Sequence, residues 1–148
     1  MSWGLERKSD ENVFRNSSGG PGLETLLPAF WTGCEQHDVP VTMVARLLCE
    51  NPAKHFHLDD RKGSLDVGKD ADFVILNPEP YEFDPANSLS AVTWSSFEGM
   101  TFNVRVESTF CRGEHIFEKG SVVGDPQFGR FLRPKAREKK SQTVKGEQ

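Results

Sequence analysis

Long apolar runs are missing from this 148-residue sequence: no window approaches the roughly 18 apolar residues that a membrane-spanning helix needs. Met1 to Arg15 carries charge throughout and holds no apolar run, so it does not read as a secretory leader. Cysteine is scarce. The three present, Cys34, Cys49 and Cys111, are widely spaced and form no CxxC pair, which argues against a disulfide framework or a zinc knuckle. A reducing, cytoplasmic setting is the simplest reading of that usage. Excess positive charge is lacking too: the formal net charge is -4, and general nucleic-acid binding is not expected. Only 36% of residues are hydrophobic, and four Gly/Ser/Pro-rich or charged stretches (6–22, 57–70, 77–90 and 133–148) dilute them further. The length suits one domain, or a small domain with appendages, around a modest core.

Periodicity divides what remains into two kinds of segment. Between Gly22 and Cys34, apolar residues at 23, 26, 27, 30, 31 and 34 follow the spacing of an amphipathic helix. Pro28 lies inside it and is expected to kink it or remove one hydrogen bond. A second helix is expected from Thr42, as its N-cap, through Cys49, with Val44, Leu47 and Leu48 on its apolar face. Asn51-Pro52 should break it before a short turn at Ala53 to Phe56. From Gly63 onward the pattern changes. Asp72 to Leu76 reads as a buried strand closed by Asn77-Pro78. Thr101 to Cys111 alternates, with Phe102, Val104, Val106 and Phe110 on one face, as one half-buried strand does. Turns at Arg112-Gly113 and Lys119-Gly120 then predict a meander through His115–Glu118 and Ser121–Val123. From Arg133 onward the tail is basic, without apolar periodicity, and reads as disordered and solvated.

Three stretches in order resemble the cyclic amidohydrolases, the group that includes allantoinase, dihydroorotase and the hydantoinases or dihydropyrimidinases. Ser18-Gly19-Gly20-Pro21-Gly22-Leu23-Glu24-Thr25-Leu26-Leu27-Pro28 is similar to the glycine loop and helix that close the family's barrel. Val44 to Lys54, with its Asn51-Pro52-Ala53, resembles the last barrel helix, and Arg61 to Val74 resembles the KGxxxxGxDAD entry into the C-terminal β-sandwich. The ending Gly129-Arg130-Phe131-Leu132-Arg133-Pro134 also has the family's look. The likeness covers roughly residues 12 to 134.

The resemblance implies an α+β fragment: terminal helices of a metal-dependent hydrolase TIM barrel, followed by part of a β-sandwich. It divides the chain into a loop (1–20), final barrel helices (21–58), a sandwich portion (59–132) and a basic tail (133–148). It implies substrate contact by main-chain groups of Ser18 and Gly19, which could hydrogen-bond the edge of an imide or ureide. The same residues also read as an ordinary glycine-rich lead-in to a helix. Gly63 and Gly68 are expected to shape turns, with Asp70 and Asp72 bracing them rather than forming an acid/base pair.

The family's reaction uses a metal-activated water, in the zinc case at a two-metal centre with a carboxylated lysine. By resemblance the ligands are an HxH on the first barrel strand, that lysine, two further histidines and an aspartate after the last strand. A barrel alone takes about 250 residues, and this sequence has 4 histidines. No catalytic residue and no metal ligand is therefore expected here. His55-Phe56-His57 is an HxH in letters only, since it follows the last helix; Phe56 is expected to pack and leave both histidines near the surface. Asp10 echoes the family's ligand aspartate but stands too near the glycine loop, so Met1 is expected to fall shortly after the true ligand. The expected function is that of a cyclic amide hydrolase piece, inactive alone, with allantoin the first-choice substrate and dihydroorotate or a hydantoin next. The family's homo-oligomers imply a tetramer. The alternative is a non-enzymatic, dihydropyrimidinase-like scaffold that works through protein–protein contacts.

Overall fold

The structure, a computed structural model, describes residues 4–8 and 10–134. The expected basic tail lies outside the described residues from position 135 onward. Helices come first and antiparallel strands follow, joined by a long turn-rich segment between residues 56 and 72. Among the described residues no helix is long and apolar enough to cross a membrane.

Helix α1 spans Leu26–Gln36. Pro28 has no N–H to offer the Glu24 carbonyl, so the regular ladder begins one step later, with Ala29 donating to Thr25 at 2.9 Å. The proline thus sits in the first turn, buried, and Leu23 stays outside the helix at 91% exposure. Helix α2, Val41–Ala45, starts directly after the extended Pro40; Thr42 lies within it and caps nothing. The expected break at Asn51-Pro52 does not occur. Arg46–Glu50 forms one wide π turn, in which the Asn51 N–H reaches back to the Arg46 carbonyl, and α3, Asn51–His55, continues from it. Widening the turn absorbs the missing proline donor without ending the helix.

Among the described residues six strands follow: β1 Phe73–Asn77, β2 Tyr81–Glu82, β3 Thr101–Phe102, β4 Arg105–Cys111, β5 Glu114–Glu118 and β6 Ser121–Val122. They make a four-stranded sheet in the order β1-β4-β5-β6 and a separate β2-β3 ribbon. The alternating run from Thr101 to Cys111 is therefore two strands, not one. The break has a hydrogen-bond cause. Asn103 gives its N–H to Thr32 Oγ1 of α1 (2.9 Å) and its side-chain amide to Glu35 (2.9 Å), leaving the ladder at that point. The hairpin turns expected at Arg112-Gly113 and Lys119-Gly120 are present, all four residues at positive φ.

The core lies between the helices and the small ribbon. Phe102 is fully buried among the rings of Tyr81, Phe83 and Phe97, at centroid distances of 5.7, 5.8 and 6.0 Å. Val104, Cys34, Val44 and Ala53 complete it. Strand β1 is not the buried strand its composition predicts: among the described residues it pairs only with β4, and Val74 and Ile75 remain 43% and 46% exposed.

Candidate functional site

The glycine loop runs as irregular chain from Ser17 into α1. Ser18 and Gly19 are both exposed, and Gly19 adopts a positive φ of 84°, which its lack of a Cβ permits without strain. Ser17 is tied back by its N–H to the Arg7 carbonyl at 2.9 Å. The Lys8 ammonium donates to the carbonyls of Ser17 (2.5 Å) and Gly19, and stands 5.7 Å from the centre of the Trp94 ring. Gly20 lies against that indole: a Cβ there would come within 3.1 Å of Trp94 Cη2. At the helix start, the Glu24 carboxylate accepts from the Ser88 hydroxyl and from the Leu89 N–H (3.0 Å).

Beside this loop opens a groove of about 1380 Å³, whose walls include Gly20, Glu24, Tyr81, Arg105 and Phe117. Ser18 and Gly19 do not line it. The Arg105 guanidinium lies 3.8 Å over the Tyr81 ring. Burial pushes the Tyr81 hydroxyl upward in pKa; Arg105 opposes that rise and Glu24 adds to it.

The entry segment between α3 and β1 is braced by charge. Lys62 bridges Asp70 (2.9 Å) and Asp72, while Arg61 adds a second contact to Asp70 at 3.0 Å. Hydrogen bonding to Lys62 and Arg61, against a smaller desolvation cost, holds the Asp70 carboxyl below its usual range. Burial works against the Lys62 ammonium, but its hydrogen bonds to Asp72 and Asp70 outweigh that and raise its pKa. The other oxygen of Asp72 accepts the Arg112 N–H at 2.7 Å, which pins the entry segment to the β4–β5 turn. Both carboxylates are thus occupied in bracing. Gly63 and Gly68 have φ of 87° and 95°. Gly63 also packs against α3, where a Cβ would come within 2.6 Å of the Ala53 methyl.

Metal ligation does not fit these residues. Among the described residues no group of three or more His, Cys, Asp or Glu converges as metal ligands would. His55 is exposed, with its ring edge-on to Phe56 at 4.9 Å, and His57 sits half-buried past the helix end at a φ of 56°. Phe56 does not pack as its position between them implied; it is 60% exposed. His55 closes α3 and His57 follows it at positive φ, so the two are not the alternate residues of a strand that would share a face. Asp10 closes a local turn instead, accepting the Asn12 N–H at 2.8 Å. His37 is exposed just beyond α1, and His115 stacks on Phe110 at 4.6 Å.

Sequence reasoning missed Lys8, Glu24 and Trp94 as holders of the loop. No local signal marks Trp94, because its contact to Gly20 spans more than seventy residues of chain.

A family model described as the amidohydrolase family matches residues 23–116. The allantoinase of Bacillus velezensis is 35% identical over 127 residues, covering 86% of this chain and 28% of that protein. The dihydroorotase of Methanosarcina acetivorans is 38% identical over 130 residues, with 86% and 28% covered. A solved D-hydantoinase structure superposes with a TM-score of 0.81 at 32% identity, over 89% of this chain and 30% of the other. The chain thus spans 28% to 30% of the length of these relatives.

Proposed function

This chain belongs to the amidohydrolase family, and from that premise we propose that it forms the closing helices and part of the C-terminal β-sandwich of a metal-dependent cyclic amide hydrolase. The order of its parts carries the reading: glycine loop, two helical segments, braced entry turn, then antiparallel sheet, matched over 89% of the chain by a D-hydantoinase at a TM-score of 0.81. In the assembled enzyme a zinc pair held by other residues would supply the activated water. What these residues would contribute is orientation. The main chain of Ser18 and Gly19, with no side chain at Gly19, would offer an N–H to a ring carbonyl and a C=O to a ring N–H.

Allantoin is the substrate we favour. The Pro21-Gly22-Leu23-Glu24 helix start and the Gly129–Pro134 ending support it, with dihydroorotate and hydantoins next. A cytoplasmic homo-oligomer, a tetramer by family habit, is the form in which it would act.

The test is a hybrid. Replacing the matching segment of the Bacillus velezensis allantoinase with this chain should give a soluble protein that hydrolyses allantoin and stops when the metal is chelated. The chain alone, with zinc added, should turn over allantoin, dihydroorotate and hydantoin undetectably. Chelator-sensitive turnover by the chain alone would overturn the proposal. A folded, metal-loaded hybrid without turnover would favour the non-enzymatic scaffold instead.

A further inference from the structure

The glycine loop has little with which to hold itself. Gly19, Gly20 and Gly22 contribute no side chains, and glycine carries the largest backbone freedom of any residue. Its contacts to the rest of the molecule come from two places, Arg7–Lys8 nearby in sequence and the distant segment Ser88–Trp94. The Trp94 indole lies beneath Gly20, close enough that a methyl group would crowd it at 3.1 Å. Lys8 sits over the same ring and donates to the Ser17 and Gly19 carbonyls. Six and five residues before Trp94, Ser88 and Leu89 both donate to Glu24, just past the loop's other end. Ser88 is itself held, because its hydroxyl accepts the Ser90 N–H at 3.0 Å.

We propose that the segment Ser88–Trp94 positions the glycine loop, with Trp94 as the platform for Gly20 and Glu24 as the strap at the helix start. Trp94 is then a positioning residue, since it touches the loop and not the reacting atoms. A flat, rigid indole is well shaped for this role, because it fills the space that the glycines leave and excludes alternative loop conformations by contact. The functional meaning of this platform rests on the proposed role of Ser18 and Gly19, since a loop that presents its main chain to a ring gains from being fixed in advance.

Backbone ¹⁵N relaxation on the full chain tests it without substrate. In the native chain Ser18, Gly19 and Gly20 should show order parameters near about 0.85, and in Trp94→Ala these should fall below about 0.6. Amides of the β4–β5 hairpin should stay rigid in both, and Trp94→Phe should restore most of the order. If Trp94→Ala unfolds the chain, Glu24→Ala provides the second reading, with loosening confined to residues 18–25. A loop equally ordered in Trp94→Ala and native protein overturns the proposal, as does a loop already disordered in the native chain. Because no turnover is read, loss of the substrate role in the hybrid would leave this result standing, so the two failures are distinguishable.

Discussion

The ribbon of β2 and β3 and the sheet of β1, β4, β5 and β6 are stabilised in different ways. The ribbon has only two residues per strand, yet it holds Phe102 fully buried, with Val104 at 1% exposure beside it. The larger sheet has longer ladders, and its one buried residue is the polar Ser108. Burial of apolar rings against α1 secures the first; backbone pairing, the Phe73–Phe110 stack at 4.5 Å and the ion pairs at Asp70 and Asp72 secure the second. Strand length is therefore a poor guide to where this molecule keeps its stability. Contact between helix and ribbon is the better one.

The contrast can be broken most sharply at Phe102. Phe102→Ala removes the ring around which Tyr81, Phe83 and Phe97 gather, and should cost about 3–5 kcal/mol. That is a large part of an ordinary domain's stability; urea unfolding followed by near-UV circular dichroism should show the loss. Gly63 gives a smaller effect with an internal control. Gly63→Ala combines an unfavourable φ with a clash against Ala53 and should cost about 2–4 kcal/mol. Gly68→Ala, at a similar φ but in open space, should cost about 1–2 kcal/mol. Equal costs at the two glycines would remove the packing argument for Gly63. The smallest effect belongs to the open sheet. Val74→Thr and Ile75→Thr should each change stability by less than about 0.5 kcal/mol in the chain alone. In the hybrid, a covered β1 would make the same changes measurably worse, because a hydroxyl would then be buried without a partner.

Much of the order of elements was legible, and the reasons differ by region. Period-3.6 spacing located α1, and the pairs Arg112-Gly113 and Lys119-Gly120 marked the hairpin turns, where the glycines take positive φ. The bracing role of Asp70 and Asp72 followed from their place between Gly68 and a strand. What failed were inferences from a single residue's local habit. Pro52 breaks helices on average, yet a wider turn absorbed it; Val74 and Ile75 look like core but, among the described residues, have a partner strand on one side only. The split at Asn103 depended on Thr32, 71 positions away, and no local pattern carries such information. For the same reason the loop residues Ser18 and Gly19 were named, while Trp94 beneath their neighbour was not.

The wide turn at Arg46–Glu50 has a consequence for which faces of the helix meet the rest of the molecule. One additional residue in a turn advances everything after it by roughly 100° around the helix axis. Ala53, three residues beyond this turn, is buried with its methyl against Gly63. Helical wheels drawn straight through from Val41 would place Ala53 opposite Val44, whereas both are buried.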